Sequence, residues 1–320
     1  MIFRSFFIYL SSAKWARNIV TKWPIALRMA SRFIAGDNLE DGIQAIRQLN
    51  DKGINATLDY LGEHTDSPDK ARQSTQNIIQ ALNSIEEESV HSNVSIKLTQ
   101  LGLSISSDLC FDNVKLILEK ARSYNSFVRI DMEDSPVTQA TLDILNKVRL
   151  EGFNNVGIVI QAYLYRSEKD IQKLIEEGLP VRLCKGAYKE PASVAFKKKE
   201  EVDANYDHLV SLLIDGIVSK NYPRLSKDGK IPPILGLASH DPKRIEFAKT
   251  YSDKVGLPKD SIEYQMLNGI RRDLQEQLVR EGYSVRVYVP YGTEWYPYYM
   301  RRLAERPANL WFFASNFFRN

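Results

Sequence analysis

The sequence predicts a β/α barrel of eight parallel strands, an α/β fold of the (β/α)8 TIM type. Short apolar runs alternate with helical patterns, and eight such runs can be counted. The turn after the first run lacks the Gly-x-Gly-x-x-Gly fingerprint of a doubly wound dinucleotide fold; Leu61-Gly62-Glu63 stands there instead. A chain of 320 residues with 43% hydrophobic content can bury one such core undivided.

Residues 37–52 carry Leu39, Ile43, Ile46 and Leu49 three or four apart and stop at Gly53, the pattern of one helix face closed by glycine. The first strand is read at 54–60, and a second helix at 69–88. Further strands are read at 94–98, 127–131, 156–161, 181–185, 234–239, 262–265 and 284–289, with helical segments between them. Strands separated by helices run parallel, and eight β/α units suggest closure. The longest irregular stretch is 221–233, polar and containing Pro and Gly. No internal repeat is visible.

The net charge of +3 hides an asymmetry. Residues 1–36 hold Arg4, Lys14, Arg17, Lys22, Arg28 and Arg32 and no acid, so this arm carries +6 and the remaining 284 residues −3. The body is therefore no basic nucleic-acid-binding surface. In the arm Phe6, Phe7, Leu10, Trp15, Ile19 and Trp23 interleave with the cations, an amphipathic pattern. Helices packed on the body are the first reading, and docking on an anionic membrane the second. No apolar run approaches a membrane span, and Phe6 to Leu10 is too short for a signal-peptide core. Cys110 and Cys184 give neither a metal spacing nor a disulfide framework, and they suit a reducing compartment. The expectation is a helical arm at 1–36 and a barrel at 37–320. The expected location is the cytoplasm, with the inner face of the cell membrane as its docking surface.

Barrel sites form where strands end at their C-termini. There this sequence places Lys97, Asp131-Met132-Glu133, Gln161, Arg182 and Lys185-Gly186-Ala187-Tyr188, then Ser239-His240 and Tyr288. A packed rim would carry Val, Ile or Leu. Polar groups are costly to bury without partners, so their convergence reads as a binding site. After the last strand, Tyr296-Pro297-Tyr298-Tyr299-Met300 leads into Arg301-Arg302. Adjacent guanidinium groups can hold a carboxylate by planar, charge-assisted hydrogen bonds. On its own the pair reads as a solvated helix end.

Several segments in this order resemble the proline dehydrogenase family. They are Thr57-Leu58-Asp59-Tyr60-Leu61-Gly62-Glu63, Ser95-Ile96-Lys97-Leu98-Thr99-Gln100-Leu101-Gly102, Arg129-Ile130-Asp131-Met132-Glu133 and Arg182-Leu183-Cys184-Lys185-Gly186-Ala187-Tyr188. Tyr288 through Asn309, with Tyr291-Gly292 and Arg301-Arg302-Leu303-Ala304-Glu305-Arg306-Pro307-Ala308-Asn309, completes the set. The resemblance runs from about Asp37 to Asn309. It implies a distorted barrel holding FAD, oxidation of L-proline to Δ1-pyrroline-5-carboxylate, and electron transfer to a membrane quinone.

Residue by residue, the resemblance implies that Arg301 and Arg302, helped by Lys97, clamp the proline carboxylate. Tyr288 and Tyr298 would wall the pocket, and Asp131 would organise its cations and hydroxyls. Arg182 would sit near flavin N5, and Gln161 at the isoalloxazine edge. Met132, Lys185, Gly186, Ala187 and Tyr188 would run along the cofactor, as would Ala238, Ser239 and His240. Lys199 would neutralise the pyrophosphate, with Lys197 and Lys198 as weaker candidates. Ser239 stands where the family often has threonine, and Lys189 where some members carry an aromatic residue. Tyr288 is expected to favour proline over hydroxyproline. The product would pass to a separate pyrroline-5-carboxylate dehydrogenase. The readings set against this one are another flavin barrel, such as a methylenetetrahydrofolate reductase-like protein, and a non-catalytic membrane-associated barrel.

Overall fold

A computed structural model describes residues 30–62, 65–220 and 225–305, with isolated residues before them. Most of the arm at 1–36, Glu63 of the first motif, the start of 221–233 and residues 306–309 lie outside the described residues.

Asn38 opens helix α1 (Leu39–Asn50) by accepting a hydrogen bond from the Asp41 backbone N–H at 2.9 Å. The chain then alternates strictly: β1 (Asn55–Tyr60), α2 (Pro68–Glu87), β2 (Ser92–Ile96), α3 (Ser107–Ser123), β3 (Val128–Ile130) and α4 (Ser135–Leu150). It continues with β4 (Val156–Gln161), α5 (Ser167–Glu176), β5 (Val181–Cys184), α6 (Lys199–Lys220), β6 (Leu235–Ala238) and α7 (Pro242–Lys254). Then come β7 (Ile262–Leu267), α8 (Arg272–Arg280), β8 (Ser284–Tyr291) and α9 (Trp295–Glu305). Ser67, Ser106 and Asp241 cap α2, α3 and α7 with side-chain oxygens, and Pro68 and Pro242 sit where a helix start needs no N–H donor.

The eight strands pair in sequence order, and β8 closes on β1 in parallel register, with Thr57 opposite Tyr288 and Leu58 opposite Val289. The expected barrel is therefore present, with all eight strands where the periodicity put them. Boundaries differ by a few residues. Lys97 and Asp131 fall just past the ends of β2 and β3, and the Asp131 backbone N–H still donates to the Ile96 carbonyl at 2.9 Å.

The main apolar core lies between the barrel's outer face and the helices. Leu58, Val94, Ile96, Val128, Ile158, Leu183, Leu237 and Val287 are buried there against residues such as Leu82, Ile117, Leu145, Leu209 and Leu278. Alternation then sends every second strand residue toward the barrel axis. Those positions hold Thr57, Asp59, Asn93, Ser95, Arg129, Arg182, Glu263, Gln265 and Arg286, all buried. Aliphatic layers usually fill such a barrel; here a polar lattice does.

Each of these groups needs a partner to stay buried. Arg286 Nε lies 2.7 Å from Glu263 Oε2, and Gln265 Nε2 donates to the same oxygen at 2.7 Å. Arg182 Nε donates to Gln265 Oε1 at 2.6 Å, and its Nη1 reaches across to Ser95 Oγ at 3.1 Å. Thr57 Oγ1 donates to Asn93 Oδ1 at 2.6 Å.

The described part of the 221–233 loop closes the N-terminal mouth. The Gly229 carbonyl accepts from Arg286 Nη2, and the Lys230 carbonyl accepts from Asn93 Nδ2 at 2.9 Å. Gly229 has φ +66°, and a Cβ there would lie 2.2 Å from Asn55 Oδ1, so glycine is needed for the plug to seat. What the sequence presents as an irregular loop is the floor of the lumen.

Candidate active site

The C-terminal mouth opens into a cavity of about 580 Å³, within the range of small-molecule sites. All the principal residues selected from the sequence as substrate or cofactor contacts line it. Lys97, Asp131, Met132 and Gln161 enter from the ends of β2 to β4. Arg182 and the loop Lys185-Gly186-Ala187-Tyr188 enter from β5, and Lys199 from the start of α6. Ala238, Ser239 and His240 come from β6, Tyr288 from β8, and Tyr298, Arg301 and Arg302 from α9. The weaker candidates are elsewhere. Lys197 donates to the Glu190 carbonyl and Lys198 pairs with Glu201, and neither lines the cavity.

Asp131 is the hub. Its Oδ1 accepts from Arg182 Nη1 at 3.1 Å, its Oδ2 accepts from Tyr288 Oη at 2.7 Å, and Lys97 Nζ lies 3.6 Å away. Lys97 also donates to Tyr288 Oη at 3.2 Å and to Asp59 Oδ1 at 2.8 Å. Burial works against the Lys97 charge, but the carboxylates of Asp59 and Asp131 outweigh it and hold its pKa above the usual lysine value. Burial also keeps the Tyr288 phenol protonated, well above its ordinary range, with Asp131 adding to the shift. Tyr188 is pushed up to about 12 by burial, opposed chiefly by Arg301. Both phenols are hydrogen-bond donors at neutral pH.

His240 Nε2 accepts from the Leu267 backbone N–H at 2.9 Å. That bond assigns the proton to Nδ1. Lys185 pairs with Asp203 and Asp241, and Lys199 also pairs with Asp203, so two cations are fixed at the cavity edge by shared acids. Gly186 has φ +111°, and a Cβ there would meet the Tyr163 ring at 2.3 Å. The loop thus lies flat on Tyr163, leaving backbone along the cavity wall.

Several contributors were not singled out in the sequence. Val159, Met266 and Leu267 supply apolar wall, Gln265 and Arg286 polar floor, and Cys184 and Asp241 complete the lining. Asp59 lies behind Lys97 and outside the lining. The period-two alternation of β1, β7 and β8 is the signal that could have found the lumen residues. Chemically, the cavity offers fixed cations and donors beside apolar surface, a set suited to a flat, electron-rich ligand together with a small carboxylate.

Such a cavity at the C-terminal mouth of a closed (β/α)8 barrel defines a barrel enzyme with a cationic site. The sequence matches the family model described as proline dehydrogenase over residues 42–315. It is 41% identical to Proline dehydrogenase 2 of Bacillus subtilis strain 168 over 313 residues, covering 98% of this chain and 97% of that one. It is 40% identical to the proline dehydrogenase of Deinococcus radiodurans over 288 residues, covering 89% and 88%. Among solved structures, proline utilization A (PutA) from Bdellovibrio bacteriovorus, inactivated by N-propargylglycine, superposes with a TM-score of 0.78 at 25% identity. That match takes in 91% of this chain, which spans 34% of the larger protein. The chain belongs to the proline dehydrogenase family and is an oxidoreductase of proline catabolism.

Proposed function

We propose that the protein oxidises L-proline to Δ1-pyrroline-5-carboxylate with FAD in this cavity. The observation that carries the reading is the convergence of Arg301, Arg302 and Lys97 with Arg182 and Gln161 in one cavity. When bound, FAD would supply the hydride acceptor for oxidation of the carbon next to the substrate nitrogen. Arg301, Arg302 and Lys97 hold the substrate carboxylate and thereby orient the small ring. Arg182 and Lys97 place positive charge where negative charge accumulates on reduction. Gln161 and the Lys185-to-Tyr188 backbone line the cofactor, with His240 donating from Nδ1. Tyr288 and Tyr298 wall the ring and keep water from it.

Electrons pass on to a membrane quinone, and the product goes to a pyrroline-5-carboxylate dehydrogenase. This outer part of the reading rests on the family resemblance and on the basic aromatic arm, which suits the inner face of the cell membrane. Among the described residues, no helix is long and apolar enough to cross a membrane.

The test is an anaerobic titration of the purified protein with proline, with Arg301→Ala alongside. The expected result is a flavin spectrum bleached by proline in the wild type. The variant should need roughly tenfold or more proline, the worth of one charge-assisted hydrogen bond. Colourless protein that cannot be reconstituted with FAD overturns the reading.

A further inference from the structure

We propose that Asp59 is a positioning residue that sets how firmly the substrate's carboxylate is held, acting through Lys97. The inference rests on the carboxylate-clamp reading above and adds a residue to it.

Asp59 stands near the C-terminal end of β1, on the axis-facing side of the strand, and is 1% exposed. Its Oδ1 accepts from Lys97 Nζ at 2.8 Å, and Lys97 is its only cation within ion-pair distance among the described residues. Its Oδ2 is buried with no hydrogen-bond partner among the described residues. Nothing in the folding of β1 calls for a carboxylate here. An axis-facing threonine or serine would pair as Thr57 and Ser95 do. A buried, half-satisfied carboxylate is costly to keep, and its one strong interaction is with a cation that lines the cavity.

Asp131 cannot do the same work. Its two oxygens already accept hydrogen bonds from Arg182 and Tyr288, and Lys97 lies 3.6 Å away, within ion-pair range but beyond hydrogen-bond distance. Lysine is a flexible stem with a point charge, so its ammonium stays at one place only if something fixes it. Asp59 holds it from behind, on the side away from the cavity. Without Asp59, the nearest anion is Asp131, and Lys97 would swing onto it, leaving the clamp and competing with Tyr288 for Oδ2. Asparagine would keep an oxygen at the same place, and with it part of the hold.

The experiment compares Asp59→Ala, Asp59→Asn, Lys97→Met and the Asp59→Ala/Lys97→Met double variant, each purified with its flavin. Two probes are titrated spectroscopically. One is tetrahydrofuran-2-carboxylate, which keeps the carboxylate and has a ring oxygen for the nitrogen. The other is pyrrolidine, which keeps the ring and has no carboxylate. Asp59→Ala is expected to weaken the carboxylate probe tenfold or more and to leave pyrrolidine unchanged within twofold. The KM for proline should rise more than kcat falls. Asp59→Asn should recover at least part of the affinity. The double variant should be no weaker than Lys97→Met alone, because the two residues act as one unit.

A purely structural role would weaken both probes alike, and that result overturns the proposal. So does unchanged carboxylate affinity in Asp59→Ala when wild type is reduced by proline. Wild-type flavoprotein that proline does not reduce sinks the reading beneath it instead. If Asp59→Ala does not fold, Asp59→Asn alone decides: equal weakening of both probes overturns the proposal, and selective weakening of the carboxylate probe supports it.

Discussion

The Tyr288 phenol donates a 2.7 Å hydrogen bond to Asp131 Oδ2, tying β8 to the end of β3 from within the barrel mouth. Its ring also lies beneath the Arg182 guanidinium, 5.4 Å from Cζ to the ring centroid. One side chain therefore both shapes the pocket and fixes the acid that holds Arg182. Tyr288→Phe keeps the ring and loses the hydrogen bond, so kcat/KM for proline should fall about tenfold. Tyr288→Ser loses the wall as well. It should weaken proline use further and narrow the preference over hydroxyproline, measured as a ratio of kcat/KM values. A serine variant that uses proline as well as wild type does contradicts the role given to this residue.

The Arg286–Glu263 pair makes a second prediction. Both side chains are essentially excluded from water, at 1% and 0% exposure. Arg286 also donates to the Ala56 and Gly229 carbonyls, so it joins the barrel floor to the lattice. Arg286→Met would leave Glu263 buried without its cation and should cost about 3–5 kcal/mol, read as a lower denaturant midpoint. Arg286→Met with Glu263→Leu should recover part of that loss, because no bare charge remains. If the double variant is the less stable of the two, desolvation is not the controlling cost.

How much of this was legible in the sequence depends on which side of a strand is asked about. The eight strands were readable because each is a short apolar stretch, such as Val156 to Ile160, bounded by a helix or turn. The rim residues were readable because a polar group at a strand's end has one obvious place to go. Arg129, Glu263 and Arg286 were not selected, because each sits inside a strand where an aliphatic filling is the usual expectation. Their alternation with Val and Tyr was present in the sequence, but their partners come from other strands and from the Gly229 loop. Asp59 is legible only as part of a motif, since nothing local shows that Lys97, 38 positions on, is its partner.

The two cysteines should separate by chemistry. Cys110 is fully buried, and its thiol is pushed up to about 12, chiefly by burial with Glu133 adding to it. Thiolate is the reactive form, so at pH 8 Cys110 offers roughly one part in ten thousand of it, behind closed packing. Raising the pH populates thiolate, but for Cys110 only toward pH 12. Cys184 lines the cavity. Iodoacetamide labelling followed by mass spectrometry should find Cys184 modified in flavin-free protein and protected by added FAD. Cys110 should stay unlabelled until the protein is denatured. Native labelling of Cys110 at pH 8 would count against the packing described.

Gly186→Ala tests the loop along the cavity wall. At φ +111° the backbone is outside the region open to alanine, and the new methyl would meet the Tyr163 ring at 2.3 Å. Strain of this kind costs of order 1–3 kcal/mol, before any loop shift. The loop can relieve it only by moving off Tyr163 and into the cavity. The variant should therefore purify with less flavin and a weaker FAD Kd, while its apoprotein unfolds at a similar denaturant concentration. Wild-type FAD affinity in Gly186→Ala would mean that the loop does not bound the cofactor.

The pH dependence of catalysis should divide between substrate and protein. Burial opposes the Lys97 charge, but Asp59 and Asp131 hold its pKa above the usual lysine value. A base with a raised pKa keeps its proton as pH rises and loses it only above that raised value. The ammonium is therefore present throughout pH 7–10, and carboxylate binding should not weaken across that range because of Lys97. Proline itself must lose its amine proton before hydride can leave C5, so its oxidation should speed up toward basic pH. The affinity of tetrahydrofuran-2-carboxylate should then stay flat from pH 7 to 10 while kcat/KM for proline climbs. Affinity for the analogue that fell across this interval in wild type, but not in Lys97→Met, would show Lys97 titrating and refute the assignment. A flat proline profile from pH 6 to 9 would instead show that the amine proton is not what limits the reaction.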